Sequence, residues 1–245
     1  MNILLLMGGE RVEHKDGRYP IYMAEIGDKL IIEEQIKNCV SLSPDRMIFC
    51  IKSEDIRDFH IDDVVRQLSE KAVCVTINGP TQGAICTALL ASSYIDNDDE
   101  LILMAVDDFI EDNFTDIMAY FRDNNCEAGV VSFTSVHPRY SYARLDEEGF
   151  VAEVAEKHPI SRNALASVYY YRRGRDFVEC AKDVIRKDNR INDVFYVSQA
   201  INEMILKQRR IGIYKIANSQ FHPVKTEVQL AQYMLELNNR RENAV

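Results

Sequence analysis

Breakers and staples are scarce in this 245-residue chain: 10 glycines, 6 prolines and six dispersed cysteines. So few glycines and prolines leave room only for short loops, and no repeat or low-complexity segment interrupts the sequence. Cys39, Cys50, Cys74, Cys86, Cys126 and Cys180 include no C-x-x-C pair and no histidine at zinc-ligand spacing, which excludes a zinc ribbon. They read as buried thiols in a reducing compartment. Positive charge is also short. A formal charge of −10 and a pI near 5.1 exclude a general nucleic-acid surface, which needs cations to displace counterions from phosphates. An anionic substrate would need local cations or a metal to bring it in. The first apolar run, six residues with no basic segment before it, is too short for a signal peptide or a membrane span. A cytoplasmic protein without a membrane partner is expected.

What is present is a globular composition, 47% hydrophobic, in a chain sized for one large α/β domain. Short apolar, β-branched runs, ILLLM (3–7), RMIFCI (46–51), AVCVTI (72–77), ELILMAV (100–106) and AGVVSF (128–133), have the look of strands buried on both faces. Between them LIIEEQIKNCV (30–40), IDDVVRQLSE (61–70), AICTALLASSY (84–94) and FTDIMAYFRDN (114–124) carry helical period. This βαβα order predicts a mostly parallel sheet with right-handed crossovers. After residue 134 the pattern changes. Residues 142–157 read as a strand, a turn at 147–149 and a returning strand, and 164–173 as a strand rich in tyrosine. Helices at 175–187 and 195–208, a strand at 210–216 and a helix at 226–238 follow. The expected fold is α/β: a Rossmann-like, mostly parallel mixed sheet flanked by helices. It forms one domain over 1–245, with a nucleotide-binding half (1–134) and an acceptor-binding half (135–245).

In open α/β sheets ligands lie beyond the carboxyl ends of the strands, so the residues after Met7, Ile77 and Val106 carry the interest. Gly8 and Gly9 would let a phosphate approach the backbone closely, with Arg11, Lys15 and Arg18 adding charge; a plain surface turn explains them equally well. After Ile77, Thr81 is placed to cap a helix whose first turn holds Gln82 and Gly83; the glutamine amide suits a base edge. Capping does not explain Gly83, which costs up to roughly 1 kcal/mol against alanine there. After Val106, the adjacent carboxylates Asp107 and Asp108 need a positive partner, and a divalent metal carrying nucleotide phosphates is the usual one. Asp112 or Asn113 is better placed to cap the next helix.

TQGAICTALLA and LILMAVDD, with YSYARLDEEGFVAEVAEKHPIS, SVYYYRRGRDFVECAKDVIRKDNRINDVFYVSQAINEMI and FHPVKTEVQL, give the chain its family likeness. Along essentially its whole length it resembles the sugar-phosphate nucleotidyltransferases of the capsule and lipopolysaccharide type, with their glycosyltransferase-A-like fold. The resemblance implies attack of a substrate phosphate on the α-phosphorus of a nucleoside triphosphate. Pyrophosphate leaves, and alignment and charge neutralisation matter more than a base. It implies that Gln82 and Gly83 contact the base, and that Asp107, with Asp108 beside it, holds Mg²⁺. Glu156 would face substrate hydroxyls, Lys157 the substrate phosphate, and Tyr196 and Asn202 the acceptor side. A homo-oligomer is compatible with the family, although no surface stripe demonstrates one.

The chain also departs from the family pattern. Ile21 stands where the first loop's Pro-Lys-Pro lysine is expected, so Arg11, Lys15 or Arg18 would have to supply that cation. KTEV (225–228) replaces a Gly-Thr-Pro-type turn, and the second metal carboxylate expected before it is not evident. Either Asp107 and phosphates hold the metal alone, or His222 has taken the vacant role, or transfer has been lost. The rival readings are a glycosyltransferase using Asp107 and Asp108, and a non-catalytic nucleotide-binding module. Of Tyr169, Tyr170 and Tyr171, strand alternation sends at least one into the core and another to the cleft.

Overall fold

Apolar runs with helices to cover both sides become the central strands, because each face then removes side chains from water. The computed structural model describes residues 1–9, 12–14 and 17–242, and only the backbone of 12–14, 17, 18, 241 and 242. It begins with β1 (Asn2–Met7), the hairpins β2–β3 (Val12–His14, Gly17–Tyr19) and β4–β5 (Glu25–Ile26, Lys29–Leu30), and α1 (Ile31–Val40). Then come β6 (Arg46–Lys52), α2 (Ser53–Phe59), α3 (Ile61–Leu68), β7 (Ala72–Ile77), α4 (Ala84–Leu89), α5 (Ser92–Ile95), β8 (Leu101–Ala105) and β9 (Asp108–Ile110). α6 (Phe114–Asp123), β10 (Ala128–Thr134), β11 (Ser141–Leu145), β12 (Val151–Glu156), β13 (Asn163–Tyr171) and α7 (Gly174–Arg186) follow. The last elements are α8 (Val197–Leu206), β14 (Ile211–Lys215), β15 (Phe221–Pro223) and α9 (Glu227–Glu242).

The main sheet runs β12-β11-β13-β8-β1-β6-β7, with β10 also on β13 and β14 on β10. β8, β1, β6 and β7 are parallel, so their carboxyl ends share one edge. β13 is antiparallel to β8 and forks the sheet: residues 168–171 pair with β8, while Asn163 and Ala164 pair with β11. Ser167, with φ of 52°, lies at the fork. The gap it opens becomes the floor of a pocket.

Alternation along β1 sorts its side chains into two cores. Ile3, Leu5 and Met7 pack with Ile32 and Phe121, whereas Leu4 joins Ile85, Ala88 and Phe177 on the other face. All eight of these residues other than Met7 are fully buried, and each large side chain so buried contributes about 1.5–3 kcal/mol.

The expected mixed α/β sheet is present, with local differences. The helix read over 84–94 breaks at Leu90 and Ala91, where N–H groups turn to carbonyls three residues back and tighten the backbone. α2 is an addition; of its seven residues only Ile56 and Phe59 are apolar, too few to set a period. Asn113 caps α6 as expected, its Oδ1 accepting from the Thr115 N–H at 3.0 Å.

Candidate active site

The carboxyl edge of the parallel strands opens into two lobes of about 290 Å³ each, which share Leu6, Ala84 and Ala105 as a common wall. The first lies over β1, α4 and the β8–β9 junction, bounded by Gly8, Ile21, Gly83 and Asp107. The second lies over the sheet fork, with Ser167 and Tyr169 below and Arg139, Glu156, Lys157 and Tyr196 around it.

In the first lobe Gly8 and Gly9 are exposed, and neither has positive φ. A Cβ on Gly9 would stand 3.6 Å from Asp107 Oδ2, so this carboxylate faces the glycine backbone. The Lys52 ammonium donates to the Gly9 carbonyl. Ile21 is buried against the lobe, and neighbouring Tyr22 donates its hydroxyl to Asp55 at 2.8 Å, so the expected lysine's place is an apolar wall. Arg11 and Lys15 lie outside the described residues, as does the Arg18 side chain.

Gly83 is explained by the fold. It is the residue before α4, its φ is 119°, and a Cβ there would sit 2.4 Å from the Phe195 carbonyl oxygen. Glycine is therefore needed where the 191–196 loop crosses. Thr81 is not the cap; its hydroxyl shares a hydrogen bond with that of Thr87 at 2.7 Å. Gln82 is exposed and lines neither lobe, its carbonyl accepting from the Phe195 N–H at 2.8 Å.

Asp108 is 2% exposed, and Lys225 Nζ lies 2.8 Å from its Oδ2. Its other oxygen has no hydrogen-bond partner among the described residues. The Val224 N–H donates to the Asp107 carbonyl at 2.9 Å, which seats the Lys225 turn against this pair. Burial raises the Asp107 pKa and Asp108 adds to it, while Lys225 opposes the shift. Burial disfavours the Lys225 ammonium, but the carboxylates of Asp108 and Asp107 outweigh it and hold that pKa above the ordinary lysine value.

These donors do not fit the expected Mg²⁺. The ion takes one or two carboxylates and completes its shell with phosphate and water oxygens, whereas here one of the two adjacent carboxylates is already paired with an ammonium, which leaves Asp107 alone. His222 does not fill the role. It pairs with Phe109 while Pro223 pairs with Asp108, so strand alternation turns its side chain from the carboxylates. It is buried 4.3 Å from the Tyr233 ring, with Nε2 3.2 Å from Glu111. Burial lowers its pKa against the pull of Glu111.

The second lobe brings Glu156, Lys157 and Tyr196 together. Glu156 Oε2 accepts from the Ser198 hydroxyl at 2.7 Å and from that of Ser141. Lys157, in a left-handed turn with φ of 54°, donates from Nζ to the Tyr196 hydroxyl at 2.7 Å. Tyr169 reaches this lobe, while Tyr170 stacks on Phe121 at 5.3 Å and Tyr171 packs on Phe177. Asn202 belongs elsewhere. Its amide accepts from the Val154 N–H at 2.8 Å and donates to the Val154 carbonyl at 2.7 Å, fastening α8 to β12.

Lys52, Ser141, Ser198 and Lys225 escape sequence reasoning as site residues. For Lys225 a signal existed, a charge where the family turn carries small residues, but not its partner.

A mostly parallel mixed sheet with a two-lobed cleft at its carboxyl edge defines a nucleotide-diphospho-sugar transferase type of fold. The chain belongs to the nucleotidyl transferase family, whose model matches residues 19–210. Its fold is similar to that of the nucleoside-diphosphate-sugar pyrophosphorylase of Vibrio cholerae RC9, with a TM-score of 0.77 over 96% of this chain and 99% of that one, at 15% identity. It is similar also to a UDP-glucose pyrophosphorylase complexed with UDP-glucose, with a TM-score of 0.75 over 98% of each chain, again at 15% identity. In sequence it is 32% identical over 93 residues to a glucose-1-phosphate thymidylyltransferase of Streptomyces antibioticus; the match spans 36% of this chain and 26% of that relative. No helix among the described residues is long and apolar enough to cross a membrane.

Proposed function

We propose that the chain transfers a nucleoside monophosphate from a nucleoside triphosphate to a phosphorylated sugar or sugar-like acceptor, and that the activated product serves surface polysaccharide synthesis. The observation that carries this reading is the pair of lobes meeting at Leu6, Ala84 and Ala105, with cations Arg139 and Lys157 on the second. A triphosphate in the first lobe would present its α-phosphorus at that wall. An acceptor phosphate held by Lys157 in the second would present an oxygen to it. The new O–P bond forms at the α-phosphorus as its bond to the bridging oxygen breaks, and that electron pair leaves with pyrophosphate. The acceptor phosphate is already ionised, so no general base is needed. What the residues supply is alignment. Glu156, fixed by two serine hydroxyls, accepts hydrogen bonds from acceptor hydroxyls with little reorganisation.

The test is pyrophosphate release by the folded protein with each of the four NTPs and a panel of sugar phosphates. Release with at least one pair is expected, and none with any pair counts against transfer. A second reading, a non-catalytic nucleotide-binding module, is favoured by Ile21, which cannot stabilise a pyrophosphate leaving group. It predicts nucleotide binding in calorimetry with no release.

A further inference from the structure

The two carboxylates at the β8–β9 junction meet a cation that belongs to the chain. Lys225 Nζ lies 2.8 Å from Asp108 Oδ2. The segment that carries it is held in place by the two residues before it: Pro223 pairs with Asp108 across β15 and β9, and fully buried Val224 donates to the Asp107 carbonyl. Asp108 is buried and its second oxygen is unpartnered among the described residues, so no other described cation pairs with it directly. The Lys225 side chain, by contrast, is 44% exposed and lines the second lobe. Lys225 therefore joins the buried carboxylate, through its ammonium, to the ligand space of the second lobe. An ammonium carries three donors, so one bond to Asp108 leaves two for an anion.

We propose that Lys225 is a resident cation in the position a divalent ion would take beside Asp107 and Asp108, and that the site binds phosphate groups without a divalent metal. A metal entering there would meet the ammonium's positive charge and compete with it for Asp108 Oδ2. The identity of the phosphorylated ligands rests on the proposed function; the cation's role does not.

Two binding measurements test this on the full chain. The first titrates Mn²⁺ alone, followed by electron paramagnetic resonance. The wild type leaves Mn²⁺ free, Lys225→Ala opens the carboxylate pair and binds it at least about 10-fold more tightly, and Lys225→Ala/Asp108→Asn loses that gain. The second titrates inorganic pyrophosphate by calorimetry in EDTA. The wild type binds it, and the double variant binds at least about 10-fold more weakly. The double variant removes both halves of the ion pair, so it stays informative if Lys225→Ala, with a buried unpaired carboxylate, does not fold. Wild-type Mn²⁺ binding that Asp107→Asn abolishes would overturn the proposal, as would pyrophosphate binding only when Mg²⁺ is added. Neither measurement uses turnover, so absence of transfer would overturn the proposed function and leave this inference standing.

Discussion

Gly83→Ala is expected to lower the unfolding free energy by about 2–5 kcal/mol, combining backbone strain with an overpacked contact. At φ of 119° an L-residue is strained whatever the space, and the new Cβ would stand 2.4 Å from the Phe195 oxygen, 2.7 Å from Val194 Cγ1 and 2.8 Å from the Phe195 nitrogen. Two of those atoms are backbone and are tied in place, Phe195 N–H to the Gln82 carbonyl at 2.8 Å and the Phe195 carbonyl to the Ile85 N–H at 3.3 Å. Relief requires moving the 191–196 loop away from α4. That loop carries Tyr196 in the second lobe, and Gly83 bounds the first, so binding in both lobes should weaken together. Gly149→Ala is the control, because Gly149 also has positive φ, 87°, but nothing lies within 4 Å of its Cβ position. In urea denaturation Gly83→Ala should cost clearly more than Gly149→Ala. Equal costs would show that the crossing yields freely.

Lys157→Ala should weaken the phosphorylated acceptor about 10- to 100-fold, the loss of one charge-assisted hydrogen bond of roughly 1.5–3 kcal/mol, and leave nucleotide affinity within about twofold. Its ammonium reaches the second lobe along the Tyr196 ring, 4.9 Å from the centroid, and does not line the first. Stability should hardly change, since Lys157 is exposed. Separate calorimetric titrations with nucleotide and with sugar phosphate check this, and the reverse pattern would place Lys157 on the nucleotide side.

The sheet was legible because buried strands such as RMIFCI and ELILMAV cannot hide their composition, and the expected runs lie within two residues of β1, β6, β7, β8 and β10. Composition is local information, and so are the strand ends. Hence Gly8, Gly83 and Asp107 fall at the first lobe. Partnerships across the chain are not local. Glu156 with Ser198 and Asp108 with Lys225 depend on how β12 meets α8 and how β15 lies on β9, which no single stretch of sequence encodes. The same limit explains the misplaced residues. The segment holding Asn202 does border the acceptor side, but helical rotation turns Asn202 to β12, and β15 register turns His222 towards Glu111. Gln82 and Gly83 are adjacent, yet only the glycine borders the cleft, and the glutamine carbonyl accepts from the crossing Phe195 N–H.

Transfer itself is tested most directly by following the α-phosphorus. With α-³²P-labelled nucleoside triphosphate and a sugar phosphate, the label should pass into a new nucleotide-linked sugar while unlabelled pyrophosphate appears in equal amount. Label remaining in the triphosphate, or recovered only as nucleoside monophosphate, with folded protein and every acceptor tried, would contradict nucleotidyl transfer.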